Sequence, residues 1–490
     1  MTKPVKKDGI MNHPRVIQGG MGVGVSDWKL ARSVSSMGAL GVVSGTALDI
    51  LMVRRLEQGD QGGHVRRALA AFPDQGVAAR ILERYFRPDG TADTHDFSAH
   101  PLWHADSDRV AADELAVAGN FVEVYLAKEN HDGVVGINFL EKIAVANPPA
   151  IYGAMLAGVD YILMGAGIPV EIPGLIDAFA RGEAGSVRIP VERFSHDEGY
   201  VLDFDPSTVL ANPPERLKRP FFLAIVSSYV LALTMATRAT GKVDGIVVEG
   251  HFAGGHNAPP RGVLSLDENG EPIYGPKDTV DYAKMVGLNL PFWIGGACSM
   301  PESLEESQRA GARGIQVGSL FAFCTESGIL PELKKRFLEK VKAGTAQVFT
   351  HPKGSPTGYP FKVALLDGTL SDKNEQQRRK RLCNVGFLRE LYKTTEGTIG
   401  YRCPAENEKA YAAKGGDASR SGDALCLCNA LFATIGLGMK YASGYLELPL
   451  VTVGSSLDSL RLMIERFGLS YTARDVLAFL GLTPAREAKR

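Results

Sequence analysis

Two histidines bracket a pair of glycines in V-E-G-H-F-A-G-G-H, which runs from Val248 to His256 behind the apolar residues Gly245-Ile246-Val247-Val248. Imidazoles exchange protons near neutral pH, and here they stand on a glycine-bearing turn. The spacing from His251 to His256 puts them on no common helix face, and no cysteine or third histidine is near in sequence. A metal pair is therefore a poor reading, and a histidine aimed at a bound ligand a better one. Gly295-Gly296 and Gly318-Ser319 also follow apolar runs. Paired glycines let backbone N–H groups approach an anion such as a phosphate, and Ser319 adds a hydroxyl donor. Gly19-Gly20-Met21-Gly22 closes the first apolar run, where a flat ligand can lie close to the backbone, and Asn138 brings a donor and an acceptor to another.

A second concentration of chemistry lies far downstream. Cys383, Cys403, Cys426 and Cys428 fall in one short window, where even spreading of six cysteines over 490 residues would leave fewer than one. Four thiolates can hold zinc or an iron–sulfur cluster. Only the C-x-C pair is local, so free packing cysteines and a redox disulfide stay open beside the metal reading. Cys298 and Cys324 are expected to pack as small apolar side chains.

Eight apolar runs must position the upstream groups: Val16 to Gly20, Leu40 to Gly45, Val134 to Phe139, Tyr161 to Gly165, Phe221 to Val226, Gly245 to Glu249, Pro291 to Gly295 and Gly314 to Gly318. They are apolar on both faces, as parallel strands covered by helices are. Helical patterns such as Asp27 to Met37 and Met300 to Ala310 alternate with them. The rhythm predicts an α/β chain folded as a (β/α)8 TIM barrel over residues 1–330, with the chemistry at the C-terminal strand ends. Helical insertions are expected at about 50–130, and a polar, proline-bearing one at 183–219. Residues 331–490 form a C-terminal extension, read as a helical, cysteine-containing subdomain. Its charge run S-D-K-N-E-Q-Q-R-R-K-R, 372–382, reads as a solvated helix or linker. Thr350 to Lys362, rich in glycine and proline, is a candidate to reach back over the barrel mouth, with Tyr359 or Lys353 at the substrate.

Composition narrows the partners. With 54 Lys and Arg against 55 Asp and Glu, the net charge is −1, which gives nucleic acid or an anionic membrane no electrostatic hold. The longest apolar stretch, Phe221 to Ala236, is broken by Ser227-Ser228 and is shorter than the roughly 20 residues a membrane span needs. The first residues carry no apolar signal core, so a cytoplasmic protein is expected.

The motifs Q-G-G-M-G, G-I-N-F-L, V-E-G-H-F-A-G-G-H, I-G-G-A and Q-V-G-S-L-F, in this order at these strand ends, resemble the nitronate monooxygenase (2-nitropropane dioxygenase) family of FMN-dependent barrels. The same superfamily includes flavin-dependent enoyl-acyl-carrier-protein reductases. The resemblance spans about residues 13 to 330. It implies FMN with its phosphate at Gly295, Gly296, Gly318 and Ser319. The ring would lie by Gly20, Met21 and Gly22, with Asn138 and Glu249 as polar contacts and Gly254 and Gly255 beside it. It also implies His256 as the catalytic residue, a base on a nitroalkane or an anchor for an anionic substrate, with an ordinary pKa near 6.5 suited to either.

The chain departs from the family in having His251 and Phe252 where small or acidic residues are common. It has Ser227-Ser228-Tyr229 where many members place a flavin-contacting lysine, and an unusual loop Asn257 to Arg261 whose arginine can attract an acidic substrate. The function implied is oxidation of alkyl nitronates with O2. The alternatives are reduction of an enoyl thioester or quinone by NAD(P)H, or a non-redox barrel acting as a scaffold or a phosphate-binding lyase. The partners are a small-molecule substrate with O2 or NAD(P)H, and a homodimer is compatible with all of this.

Overall fold

A computed structural model describes residues 13–91, 95–104, 109–192 and 200–482. All eight apolar runs are strands: β1 (Val16–Gln18), β2 (Leu40–Ser44), β3 (Val135–Leu140), β4 (Tyr161–Gly165), β5 (Phe221–Val226), β6 (Gly245–Glu249), β7 (Phe292–Gly295) and β8 (Gly314–Val317). They are parallel, neighbours in chain order, and closed into a barrel by β8 pairing with β1, Val16 opposite Ile315. Ile17, Leu40, Leu163, Leu223, Val247 and Trp293, drawn from six different strands, share one buried cluster. The barrel is thus a packed core rather than a pore. His13 extends that core, its ring edge-on to Trp293 and Phe221 and its Nδ1 3.0 Å from Tyr161 Oη. Trp293 Nε1 donates to Pro14 O.

Closure leaves no room at Gly314, where an added Cβ would lie 1.8 Å from the Arg15 carbonyl oxygen. That oxygen accepts the Ile315 N–H, so it cannot retreat without opening the seam. Gly314→Ala is expected to cost about 1–3 kcal/mol in urea denaturation, and an unchanged midpoint would show that the seam yields freely.

Between β2 and β3 lie the helices Leu48–Glu57, His64–Ala70, Gln75–Tyr85 and Val110–Lys128. Arg55 ties them to the barrel by joining Asp27, the cap of helix Trp28–Ser36, to Glu123. Positions 92–94 and 105–108 of this insertion, and 193–199 of the next, lie outside the described residues. The second insertion contains an antiparallel strand pair, Gly185–Ile189 with Tyr200–Phe204, which its polar sequence did not announce.

The C-terminal region mixes helices with strands. Its strands Val348–His351 and Phe361–Ala364 pair with each other, and the latter pairs with the two-residue strand Gly255–His256 of the barrel. Glu390–Lys393 pairs with Ile399–Arg402 and with Val191–Glu192. Helices Asp458–Phe467 and Ala473–Phe479 share a core with Val16, Leu30 and Ile315. The charge run is only partly solvated: Lys373–Arg378 is a helix with no buried residue, but Arg379 turns inward to a buried pair with Glu447. Among the described residues no helix is long and apolar enough to cross a membrane.

Candidate active site at the barrel mouth

A cavity of about 780 Å³ opens at the C-terminal ends of the strands. Gly20, Met21, Gly22, Asn138, Glu249, Gly254, Gly255 and His256 all line it, so the sequence-selected groups from three strand ends and the histidine loop meet in one place. A smaller annexe of about 100 Å³ adjoins it, bounded by Gly296, Ala297, Gly318 and Ser319 on the barrel side and by Gly454 and Ser456 from the C-terminal region. Gly295 lies outside both, at the end of β7 with its carbonyl accepting the Gly250 N–H.

Absent side chains make these walls fit. A Cβ on Gly20 would meet Asn138 Cβ at 2.5 Å, and one on Gly254 would meet the Val453 carbonyl carbon at 2.7 Å. Gly296 and Ala297 both have positive φ, 81° and 59°. Ala297 thus holds a conformation costly for a residue with a Cβ, as occurs where a turn is shaped for a ligand. Ser319 Oγ is already engaged, accepting the Gly454 N–H at 2.9 Å, and the helix it opens is only Ser319–Ala322.

His256 is fixed from the far end of the chain. Its Nε2 shares a 2.8 Å hydrogen bond with Ser355 Oγ and lies 3.4 Å from Thr357 Oγ1, while the Phe361 ring stands edge-on at 5.0 Å. Asn257 Nδ2 donates to the carbonyls of Ala253 and Gly255, which holds the turn. Burial lowers the His256 pKa to about 4. The ordinary value expected from sequence therefore gives way to a neutral imidazole at physiological pH, because among the described residues no carboxylate offsets the burial.

Glu249 changes in the opposite sense. Burial pushes its carboxyl up to about 7, opposed by the Gln316 amide that donates to it at 3.1 Å. The unfolded chain loses this proton near its ordinary value, while the fold keeps it to higher pH. Stability from this group is full below about 4.5 and falls as pH rises toward about 7. Glu249→Gln is expected to flatten that part of a melting-temperature curve against pH, and an unaltered slope would assign it elsewhere.

His251 lines the cavity stacked on Tyr274, rings 4.0 Å apart and 11° from parallel. Its carbonyl accepts from Lys362 Nζ, which also donates to Ser455 Oγ. At the β5 end, Ser227 and Ser228 line the cavity; Ser228 caps the helix Tyr229–Arg238, and Arg261 donates to Ser227 O from the rim. Sequence reasoning missed Gln316, Ser355, Thr357, Lys362 and Gly454. The proline-rich stretch was the signal for some of them: Gly358 and Tyr359 do line the cavity, whereas Lys353 does not. Cys298 bounds the annexe and Cys324 is buried; all six cysteines are free.

Barrel and mouth together define a (β/α)8 protein with a ligand cavity where such folds carry their chemistry. No family model matches the chain. It is 32% identical over 114 residues to a probable nitronate monooxygenase of Bacillus subtilis (strain 168), a match over 23% of this chain and 30% of that relative's length. That local identity agrees with the family resemblance carried by the motifs. Among solved structures, the chain is similar to FabK from Thermotoga maritima, with a TM-score of 0.44 and 14% identity over 96% of this chain and 93% of that one. It is also similar to a nitroalkane oxidase from Streptomyces ansochromogenes, with a TM-score of 0.41 and 13% identity over 95% and 94%.

Proposed function

We propose that this chain is an FMN-dependent oxidoreductase that oxidises alkyl nitronates with O2. The observation that carries the reading is the two-part cavity: a wide chamber under His256 joined to a small annexe of glycines and serines. The residues fit such a group. The chamber has the size of a cofactor and substrate together. The annexe offers backbone N–H groups and hydroxyls to a phosphate, and the buried Gln316 Oε1, an acceptor without a protein partner among the described residues, would take an N–H of the cofactor rather than the phosphate. Gly296, Ala297, Gly318, Ser319, Gly454 and Ser456 would hold the phosphate, and Gly20, Met21, Gly22 and Asn138 would border the ring. Bound FMN would supply the electron acceptor, with O2 carrying the product on to a carbonyl compound and nitrite.

The chain's own part is to bind and orient. Arg261 on the rim provides positive charge for an anionic nitronate. His256, neutral and fixed by Ser355, presents a hydrogen-bonding group without a charge. Leu388, Leu431 and Phe432 give the chamber an apolar wall. The neutral imidazole also favours a second reading, hydrogen bonding to the carbonyl of an enoyl thioester reduced by NAD(P)H. The similarity to a probable nitronate monooxygenase of Bacillus subtilis supports the first. Six free cysteines support a reducing compartment, the cytoplasm.

Oxygen uptake and nitrite release with an alkyl nitronate are the expected results. NAD(P)H oxidation dependent on an enoyl thioester, without nitronate turnover, would select the second reading. Protein that takes up no FMN would overturn both.

A further inference from the structure

Among the described residues no three His, Cys, Asp or Glu side chains are grouped to hold a metal ion, Cys383, Cys403, Cys426 and Cys428 included. The C-terminal region instead helps to build a second cavity, of about 880 Å³. Its walls come from the loops that follow β3 and β4, from the strand Gly185–Ile189 and from the chain around Glu390–Lys393. Ile143, Val170, Ile172, Val187, Ile189 and Leu391 give it an apolar lining. Ile168, Phe387 and Leu388 line both this cavity and the barrel-mouth chamber. Pro356 and Thr357 border the second cavity, while the next residues, Gly358 and Tyr359, border the chamber. Thr357 Oγ1 lies 3.4 Å from His256 Nε2, so the two spaces share a thin wall.

The charges on the walls of the second cavity are paired, with one exception. Arg188 meets Glu171 at 2.6 Å, Arg420 meets Glu390 at 2.9 Å, and Lys142 lies 3.6 Å from Glu141. Glu192 and Glu390 also hold the buried Arg402. Arg389 has no carboxylate partner among the described residues. Its Nε donates to Gly386 O at 2.9 Å and its Nη2 to Trp103 O at 2.7 Å, and its guanidinium carbon lies 4.6 Å from the centre of the Tyr401 ring. Two carbonyls and a ring thus fix the group in one orientation, while Nη1 makes no hydrogen bond among the described residues. Burial lowers its pKa, as expected of a cation short of a counter-ion. Such a group is costly to fold unless a ligand brings the missing charge.

A fixed guanidinium with one open edge suits a carboxylate. A dianion such as phosphate needs more positive charge than one arginine among four glutamates supplies. The apolar lining asks for a hydrocarbon chain, and the volume is that of a small-molecule site. We propose that the second cavity binds an amphipathic monocarboxylate, with its carboxylate on Arg389 and its chain against the apolar lining. The site does not depend on the flavin reading.

The test is calorimetric titration of the full chain with octanoate. Binding of one octanoate per chain is expected, at least about fivefold tighter than hexanoate because two more methylenes leave water. Octanamide, of the same shape but neutral, should bind at least about tenfold more weakly than octanoate. Arg389→Met should weaken octanoate at least about tenfold and leave octanamide unchanged, a split that a merely structural role would not produce. Pro190→Glu decides the matter should Arg389→Met fail to fold. Pro190 is exposed on the cavity wall, and the pairing of Val191 with Leu391 sets it beside Glu390. A negative charge there should weaken octanoate at least about threefold. Arg261→Met, on the chamber rim, should leave octanoate binding unchanged. No binding, equal binding of octanoate and octanamide, or binding lost in Arg261→Met and kept in Arg389→Met would overturn the proposal. A kinetic arm identifies the source of the carboxylate and alone rests on the proposed nitronate oxidation. Octanoate that raises KM only shows that the substrate's own tail uses the cavity, and octanoate that lowers kcat shows a separate ligand felt through Thr357 and His256.

Discussion

Replacing His256 by asparagine is expected to leave FMN bound and to lower turnover by about 10²-fold. Asparagine keeps a polar group of similar reach but cannot reproduce the imidazole between Ser355 and the cavity. The annexe proposed for the phosphate lies on Gly296, Gly318 and Gly454 and does not include His256, so cofactor retention is expected to be unaffected. The pH profile sharpens the test. A histidine with its pKa lowered to about 4 is neutral throughout the physiological range. The wild-type rate should therefore show no His256 inflection between about pH 5.5 and 8. An inflection near 6.5 that disappears in the variant would mean that a charged imidazole is used after all. The same burial has a stability consequence of definite sign. The unfolded chain binds this proton from about 6.5 downward and the fold only near 4, so stability is full above that window and falls as pH falls through it. Equal turnover in wild type and variant would remove His256 from the chemistry.

Much of this site was legible because the barrel places chemistry at strand ends and its strands are apolar on both faces. Val16-Ile17-Gln18 and Leu40-Gly41-Val42-Val43-Ser44 read as buried parallel strands without any tertiary information, and Gly20, Asn138 and Glu249 followed from where the runs stop. What supports those groups was less visible. Ser355 and Thr357 meet His256 only because Phe361–Ala364 adds itself to Gly255–His256, a pairing between segments about a hundred residues apart that no local period announces. Gly454 reaches the annexe in the same way. Gln316 stood inside a quoted motif, yet a polar residue within a buried strand declares its direction only once the barrel closes. The pKa of His256 depends on burial by those same remote residues, so its type suggested a value near 6.5 that the surroundings do not allow.

Arg379 carries the other large expected effect. In sequence it belongs to a run of charges that looks solvated, and in the fold its side chain and that of Glu447 are only 3% and 1% exposed. Nε and Nη2 donate to the two carboxylate oxygens at 2.9 and 2.7 Å, and Tyr441 Oη donates to one of them at 3.0 Å. Removing one member of such a pair costs far more than the pair itself contributes, because the remaining charge is left in a medium that cannot solvate it. Arg379→Met is expected to lose about 3–5 kcal/mol in urea denaturation. The double variant Arg379→Met with Glu447→Gln should recover a large part of that, since it leaves no buried ion. A loss below about 1 kcal/mol in the single variant would place Arg379 in solvent, as its neighbours Lys373 to Arg378 are. The pair also anchors the chain just before Cys383 and the cavity-lining Val385, Phe387 and Leu388. A destabilised single variant should therefore release FMN at lower denaturant than it unfolds globally, whereas coincident release and unfolding would show that this wall moves only with the whole fold.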